Sequence, residues 1–328
     1  MAKLRAGLIG LGMMGRHHGR VLRELEGVEL VAVADAFGDP HGVADGLKLC
    51  SSVEELIAEG VDMAVVAVPT MLHEEVATAL AEAGIHALVE KPIAIDSASG
   101  RRISDAFDKN SLVGAVGHIE RFNPALQRLR QRLEAGDLGE VYQIQTRRQG
   151  PFPARIADVG VVKDLATHDF DLTAWLAQSR FTSVSAAISR RSGRPHEDLV
   201  SAVGHLEGGI ITNHVVNWVS PFKERLTVVS GEGGAFVADT VTADLTFIEN
   251  GTFETEWDSV AAFRGVSEGS SIRYALAKRE PLKMEHEAFR DAILGRSMNV
   301  VTMKEGLETL RVAEAVLEAG TNGTVVTL

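Results

Sequence analysis

Three glycines at G-x-G-x-x-G spacing follow an apolar run, Leu4–Ile9, and precede a segment with helical periodicity. Gly10 would allow a tight turn after the strand, Gly12 would let the backbone approach a diphosphate, and Gly15 would let the helix pack closely on the strand. The unpaired N–H groups and the dipole of such a helix attract an anion at its N-terminus. This order of elements predicts a dinucleotide-binding site.

An acidic residue further along supports the same prediction. A second apolar run, Leu30–Ala34, ends at Asp35, which follows Gly15 by 20 residues; an acid that binds the ribose hydroxyls is expected roughly 20 residues on. Met13 and Met14 complete the turn and are expected to contact the cofactor together with the three glycines. Because an acidic side chain repels a 2′-phosphate, NAD is favoured as the cofactor, and NADP stays open.

Length, charge and cysteine content exclude several classes of protein. A chain of 328 residues is long enough for two domains, each with its own core. The formal net charge of −12 argues against binding to nucleic acid or to an anionic membrane. No apolar run approaches the ~20 residues that span a bilayer, and no secretory segment precedes the first strand. Cys50 is the only cysteine, which predicts a reducing cytoplasmic location.

Strand and helix signals alternate through the first 120 residues. Met63–Val68 is a continuous apolar run, typical of a parallel strand that is buried on both faces. A helix over 73–83 and a strand over 87–89 follow, and Leu112–Val116 is the last strand of this part. The rhythm predicts a doubly wound parallel sheet, whose ligands bind at the carboxyl ends of the strands. The residues that fall at those ends are Gly10, Asp35, Pro69 and Lys91.

After residue 120, β-type runs dominate, which predicts an antiparallel sheet and an α+β second domain. We therefore expect two domains, 1–120 and 121–328. The predicted strands are 141–147, 184–190, 199–206, 210–219, 226–229 and 243–248, with a hairpin turn at 207–209. The predicted helices of this part cover 124–133, 163–176, 283–294 and 302–318, the last of them capped by Thr302 and Glu305.

The helix over 163–176 contains the most informative polar residues. On an ideal helix, Asp164, His168 and Asp171 lie within roughly 60° of one another. A carboxylate one turn before a histidine can fix the ring tautomer and raise its basicity, and alcohol oxidation requires such a base. Spacing alone also allows a solvated polar face, and the same three side chains could bind zinc, although no HExxH motif or cysteine set supports a metal site.

Lys91 follows a predicted strand end, between Glu90 and Pro92. Its positive charge there could stabilise an alkoxide at the nicotinamide end of the cofactor, and the alternative is a solvated surface lysine.

Two neighbouring histidines, His17 and His18, are interpreted as residues on the surface of the first helix.

Basic side chains are concentrated between residues 121 and 163, in an otherwise acidic protein. Such a stretch could hold a phosphorylated substrate, and the alternative explanation is a set of solvated helix and strand faces. The residues are Arg121, Arg128, Arg130, Arg132, Arg147, Arg148, Arg155 and Lys163.

Three motifs in order, the glycine turn 10–15, Glu90-Lys91-Pro92 and Asp164…His168, resemble the Gfo/Idh/MocA family of oxidoreductases. The resemblance covers nearly the whole chain, including 68–70 and 231–234. It implies a Rossmann domain followed by an α+β domain with a large open antiparallel sheet. In such proteins the face of that sheet usually builds a homodimer or homotetramer.

The resemblance also implies roles for individual residues, including a cis peptide before Pro92. The implied catalytic residues are Lys91, Asp164 and His168. Further contacts to the cofactor are implied for Pro69, Thr70, His73, Glu90 and Lys91. Contacts to the substrate are implied for Lys91, His118, Arg121, Asn123, Asp164 and His168.

Members of this family act on cyclic polyols, sugars and nucleotide-linked sugars, and the segment 117–124 resembles the UDP-N-acetylglucosamine 3-dehydrogenase-like branch. We expect His168 to remove a proton from a ring hydroxyl, Lys91 to stabilise the oxyanion, and hydride to pass to NAD. Lys91 and His168 could exchange the role of base. Two alternatives stay open at this point: an NAD-dependent glycoside hydrolase that uses transient oxidation, and a non-catalytic NAD sensor.

Overall fold

The computed structural model describes residues 3–153, 159–251 and 268–328. In this part the chain forms two compact units, the first made of Met1–Ile119 and Glu280–Arg311, the second of Glu120–Arg279 and Val312–Leu328. The predicted domain assignment, 1–120 and 121–328, stays a prediction. The packing differs from it in one segment, because Glu280–Arg311 joins the first unit.

Strands and helices are numbered in chain order over the described residues. The strands are β1 (Leu4–Ile9), β2 (Val28–Ala34), β3 (Lys48–Cys50), β4 (Met63–Val66), β5 (His86–Glu90), β6 (Gly114–Gly117), β7 (Val141–Pro151), β8 (Phe181–Ser189), β9 (Leu199–Leu206), β10 (Ile211–Asn217), β11 (Val219–Gly231), β12 (Gly234–Asp239), β13 (Asp244–Asn250), β14 (Glu268–Arg273) and β15 (Val326–Thr327). The helices are α1 (Met13–Glu24), α2 (Val53–Ala58), α3 (His73–Glu82), α4 (Ser97–Lys109), α5 (Pro124–Glu134), α6 (Thr167–Ala177), α7 (Pro281–Ile293) and α8 (Met303–Asn322).

The described part of the first unit contains a six-stranded sheet in the order β3-β2-β1-β4-β5-β6. Each strand pair in it is parallel, so we call it the parallel sheet. The chain reverses its direction of winding between β1 and β4, which is the switch point where doubly wound folds bind ligands. The predicted doubly wound sheet is confirmed.

Both faces of the parallel sheet are covered, as the continuous apolar strands require. Neighbouring residues of one strand enter opposite cores: Val66 packs in a cluster with Leu80 of α3, and Val65 packs in another with Leu22 of α1. Phe289 of α7 belongs to the second cluster and is fully buried. This packing explains why a segment so late in the sequence belongs to the first unit.

The second unit contains, among its described residues, a nine-stranded sheet in the order β14-β13-β12-β11-β7-β10-β9-β8-β15. We call it the mixed sheet, because β7 and β10 pair in parallel while the other pairs are antiparallel. The prediction of a mainly antiparallel sheet in an α+β arrangement is confirmed. The predicted turn at 207–209 joins β9 to β10 as a short 3₁₀ turn.

One face of the mixed sheet carries the core of the second unit. Leu126 and Leu129 of α5, together with Leu172 of α6, pack against Ile144 of β7 and Phe236 of β12. Along β9, residues alternate between buried and exposed, so the opposite face carries more exposed side chains. Within the described ranges, no helix combines the length and the apolar composition that crossing a membrane requires.

Candidate active site

The glycine turn has the geometry that its sequence predicts. Gly10 lies after β1 with φ +90°, in the left-handed region, and a Cβ built on it would lie 2.5 Å from the carbonyl oxygen of Ala67. Its N–H donates to the carbonyl of Ala34 at 2.8 Å, which joins the turn to the end of β2. Only glycine satisfies both the backbone angle and the close approach.

Gly12 and Gly15 divide the other two tasks. A Cβ on Gly15 would lie 1.9 Å from the carbonyl oxygen of Gly10, so the helix can approach the turn only without a side chain there. A Cβ on Gly12 would meet no atom within 4 Å, so the space in front of this residue is open. Gly12 is also the N-cap of α1 and provides no side-chain cap for the first-turn N–H groups. These donors and the open space fit the diphosphate of a dinucleotide.

Asp35 follows β2 and faces the glycine turn. Its carboxylate accepts the N–H of Leu11 at 2.7 Å on Oδ2 and the N–H of Phe37 at 2.8 Å on Oδ1. These two bonds fix the carboxylate, and each oxygen retains a lone pair that can accept a hydroxyl group. The arrangement therefore fits the ribose of NAD. Met13 is half exposed at the start of α1, and Met14 is partly buried.

His73 joins the loops that follow β4 and β5. Pro69 precedes a 3₁₀ turn, Thr70–Leu72, and α3 begins at His73 directly after it. The buried ring of His73 lies 2.9 Å from the carbonyl oxygen of Pro92 through Nδ1 and 3.1 Å from that of Val68 through Nε2. Burial lowers the pKa of His73. The ring thus lies between two strand-end loops, and its contact with a cofactor stays a prediction.

Glu90 and Lys91 lie at the carboxyl end of β5. The Glu90 side chain is 13% exposed; Oε1 lies 2.9 Å from Nε2 of His18, and Oε2 accepts the N–H of Lys91 at 3.1 Å. Burial alone would raise the pKa of the Glu90 carboxyl, but the hydrogen bond to His18 and the nearby charges lower it below its ordinary value. Lys91 is partly buried, and its peptide bond to Pro92 is cis, as the resemblance implies.

The interpretation of His18 as a surface residue is wrong. It is fully buried, whereas its neighbour His17 is exposed. A sequence signal existed, because Gly15 and Leu22 lie on the buried face of α1, and His18 falls between them at helical spacing.

In the second unit, the predicted helix over 163–176 begins with an unpredicted turn. Val162–Ala166 is a π-helix that leads directly into α6, and its wider turn changes the angles assumed for an ideal α-helix. The N–H of Val162 donates to the carboxylate of Glu197, at 3.0 Å, which caps the helix start. Such π-turns occur frequently at functional sites.

The predicted catalytic residues of this helix are buried. Asp164 is 7% exposed and His168 is 8% exposed, so the alternative of a solvated polar face is wrong. Their catalytic pairing stays a prediction. Among the described residues, no group of three His, Cys, Asp or Glu side chains could hold a metal ion.

Asp171, the third polar residue predicted on this helix, is paired with an arginine. Arg121 binds it in a bidentate pair, Nε to Oδ2 at 2.8 Å and Nη2 to Oδ1 at 2.6 Å, with both side chains buried. The bidentate geometry ties the segment after β6 to the middle of α6.

A second arginine holds the same helix to the mixed sheet. Arg148 of β7 donates from Nε to Asp169 at 2.9 Å and from Nη1 to Glu120 at 2.8 Å. Burial opposes this charge, but Asp169 and Glu120 raise the pKa of Arg148 above its ordinary value. Asp169 and Asp171, on either side of Phe170 in the sequence, therefore each tie α6 to an arginine. These two ion pairs fix the position of the helix that carries His168.

His118 and Asn123 lie on either side of Arg121 in the sequence. Asn123 is the N-cap of α5: its Oδ1 accepts the N–H of Ala125 at 3.0 Å, and its Nδ2 donates to the carbonyl of Thr240 at 3.0 Å. His118 is buried directly after β6. Direct contact of His118, Arg121 and Asn123 with substrate stays a prediction, and the bonds of Arg121 and Asn123 support positioning roles.

The basic stretch is largely neutralised within the second unit. Besides Arg121 and Arg148, three of its members pair with carboxylates, and Arg155 lies outside the described residues. The three pairs are Arg130–Glu134, Arg132–Asp137 and Arg147–Glu224. Five of the eight basic residues thus pair with carboxylates, and binding of a phosphorylated substrate by this stretch stays a prediction.

Comparison with known proteins agrees with this geometry. The sequence model "Oxidoreductase family, NAD-binding Rossmann fold" matches residues 4–118, and the model "GFO/IDH/MocA C-terminal domain" matches residues 126–237. The UDP-N-acetylglucosamine 3-dehydrogenase of Acidithiobacillus ferrooxidans is 30% identical over 296 residues, which cover 89% of this chain and 90% of that protein. The chain belongs to the Gfo/Idh/MocA family.

Two further similarities extend over the full length. The crystal structure of the same Acidithiobacillus enzyme aligns with a TM-score of 0.84 at 28% identity, covering 97% of this chain and 98% of that one. The scyllo-inositol 2-dehydrogenase (NAD(+)) of Bacillus subtilis is 24% identical over 99% of this chain and 96% of its own. This chain is therefore an NAD-dependent oxidoreductase. The relatives named here are dehydrogenases, so nothing favours the hydrolase or sensor alternatives.

Alanine at Gly12 and alanine at Gly15 are expected to fail in different ways. A methyl group on Gly12 would occupy the open space, so Gly12→Ala should fold normally and bind NADH about tenfold more weakly or worse. Gly15→Ala should lower the melting temperature, because its Cβ would clash with backbone. Thermal unfolding and NADH fluorescence titration measure the two effects. Wild-type NADH affinity in folded Gly12→Ala would contradict the assignment.

The Arg121–Asp171 pair is expected to behave as a buried ion pair. Arg121→Met or Asp171→Leu alone leaves one buried charge without its partner and should cost about 3–5 kcal/mol in the free energy of unfolding. The double variant should cost much less than the sum of the two, because it leaves neither charge behind. Urea unfolding of the four proteins measures the cycle. Additive losses would show that the two side chains do not interact.

Proposed function

We propose that this chain oxidises a ring hydroxyl of a UDP-linked N-acetylhexosamine, with NAD as the oxidant. The observation that carries the proposal is the similarity to a UDP-N-acetylglucosamine 3-dehydrogenase, which extends over 89% of this chain and 90% of that protein. A cyclic polyol is the second candidate, because an inositol 2-dehydrogenase of Saccharopolyspora erythraea is 34% identical over 71% of this chain.

The glycine turn and Asp35 hold the cofactor in this proposal. The first-turn N–H groups of α1 bind the diphosphate in front of Gly12, and the Asp35 carboxylate accepts the ribose hydroxyls. Bound NAD supplies the hydride acceptor for the substrate carbon.

The acid–base chemistry falls to Lys91, Asp164 and His168. A ring nitrogen of His168 takes the proton of the reacting hydroxyl, while Asp164 fixes the ring tautomer from the preceding turn. The Lys91 ammonium group stabilises the negative charge on the substrate oxygen. Two observations support these roles: Asp164 and His168 are buried, and Arg121 and Arg148 anchor α6. A base that the fold already holds in position loses little orientational freedom when the reaction occurs.

A substrate panel tests the activity and the residue roles together. UDP-N-acetylglucosamine, UDP-glucose, myo-inositol and scyllo-inositol are each assayed with NAD and NADP by the appearance of reduced cofactor. We expect the highest kcat/KM for UDP-N-acetylglucosamine with NAD. His168→Ala should lower kcat by about 10²–10⁴-fold, whereas alanine at His17, an exposed histidine on α1, should leave it unchanged. Oxidation of inositols alone would move the proposal to the second candidate, and unchanged kcat in His168→Ala would refute the role of this residue.

We further propose that the protein works as a homodimer or homotetramer assembled through the outer face of the mixed sheet. Three apolar side chains lie on this face: Val203 of β9, and Ile211 and Val215 of β10, each diagonal to Val203 across the strand pair. They are 40%, 40% and 37% exposed, respectively. Exposed apolar side chains grouped on one face of a sheet are typical of an interface.

Charge on that face is expected to dissociate the assembly. Val203→Lys combined with Ile211→Lys should convert the oligomer to monomers, since lysine cannot be buried there without a partner. Val325→Lys, at a valine that is 70% exposed near the C-terminus, is the matched control and should keep the assembly. Light scattering after size-exclusion chromatography gives the mass. A monomeric wild-type protein would contradict the proposal.

A cytoplasmic location completes the proposal. The single cysteine, Cys50, is buried and its thiol pKa is raised by burial, so it suits a reducing compartment and needs no oxidised partner.

A further inference from the structure

Glu90 is the first of three linked side chains in the core of the first unit. Behind it, His18 uses its second ring nitrogen: Nδ1 lies 2.8 Å from Nε2 of His286 in α7. Both histidines are fully buried, and their rings meet edge to face with centroids 5.1 Å apart. A chain of hydrogen-bonding groups thus runs from His286 of α7 through His18 of α1 to Glu90 at the end of β5, next to Lys91.

The protons in this line have one consistent arrangement. Glu90 is held as a carboxylate and can only accept, so Nε2 of His18 carries a proton and donates it to Oε1. Burial, together with the neighbouring His18, lowers the pKa of His286 well below its ordinary value, so this ring is neutral and has one N–H. Between Nδ1 of His18 and Nε2 of His286 there is room for a single proton.

The position of that proton follows from the far side of His286. Its Nδ1 is buried and has no hydrogen-bond partner among the described residues. A proton there would be a buried donor without an acceptor, which is unfavourable. The proton therefore lies on Nε2 and is donated to His18. Each group donates toward Glu90, whose other oxygen accepts the N–H of Lys91.

We propose that His286 and His18 are positioning residues that keep the Glu90 carboxylate charged and oriented, and through it hold Lys91 in place for the reaction. This relay, defined as His286, His18 and Glu90, rests on the proposed function for the role of Lys91. It assigns a purpose to two buried histidines that the fold alone does not require, since apolar side chains would fill the same core at lower desolvation cost.

The other titratable groups near the relay set the frame for its pH dependence. Lys91 follows Glu90 on β5, Glu285 precedes His286 on α7, His73 of α3 lies within electrostatic reach of Glu90, and His17 on α1 is exposed to solvent.

The sign of the expected pH effect follows from Glu90. Its lowered pKa contributes stability that is present above the unfolded value, about 4.3, and is lost as the pH falls through the folded pKa. The hydrogen bond from His18 is the largest influence that opposes the effect of burial on Glu90, so its loss should raise the pKa of the Glu90 carboxyl. Glu90 then takes up a proton at a higher pH, and the acid side of the activity profile moves upward.

Nitrogen NMR of histidine-labelled wild-type protein tests the relay without any substrate. We expect both His18 and His286 to carry the ring proton on Nε2, assigned by loss of each signal in His18→Gln and His286→Gln. A proton on Nδ1 of either ring would overturn the proposal. Because this readout needs no turnover, it stands even if no substrate in the panel reacts, in which case the proposed function alone fails.

Kinetics with matched variants test the link to Lys91. His18→Leu should lower kcat about tenfold or more and shift the acid limb upward by about one pH unit. His18→Gln and His286→Gln keep an amide donor near the lost N–H and should stay close to wild type, and the control His17→Gln should be unchanged. A uniform loss of kcat in His18→Leu with no shift of the limb would reduce the relay to a structural role and overturn the proposal. If His18→Leu does not fold, the profile of His286→Leu against His286→Gln gives the same comparison.

Discussion

Parallel pairing of the strands in the first unit places the carboxyl ends of β1, β2, β4 and β5 at one edge of the sheet, and the predicted cofactor residues depend on this. In the turn after β1, a Cβ at position 10 or 15 would clash with backbone, so glycine is required at both, while Gly12 faces open space. Asp35 then bonds to the backbone of that same turn. A dinucleotide site therefore follows from strand direction and from three missing side chains.

Buried charge is the second organising feature, and each unit handles it in the same way. In the first unit, Glu90 is stabilised by His18 and by backbone at the end of β5. In the second, Arg121 and Arg148 hold acidic residues of α6 from the adjoining segment and from β7. Removing one partner of such a pair is costly, so these contacts specify the position of the side chains that they surround. Orientation is what a base or an oxyanion-stabilising group requires.

Local signals in the sequence were enough for much of the fold. The alternation of apolar runs and helices predicted the parallel sheet, and the capping pair Thr302 and Glu305 is confirmed by bonds of 2.9 and 3.2 Å between them. The sequence analysis predicts no strand at β3, β12, β14 or β15; of these, β3 and β15 have only two or three residues, which carry no periodicity. The burial of His18 is predictable from its position between Gly15 and Leu22, but its partners, 72 and 268 residues away, are not. The π-turn before α6 was also missed, since Glu197, its cap, comes from a distant loop.

The account depends most on the claim that the glycine turn binds a dinucleotide through the first N–H groups of α1. Hydrogen exchange of the purified protein, with and without saturating NADH, measures this directly. The account predicts slower exchange for the amides of residues 12–15 and of the segment that follows β2, and Gly12→Ala should need about tenfold more NADH or more for the same protection. Unchanged exchange at these amides in wild-type protein under saturating NADH would contradict it.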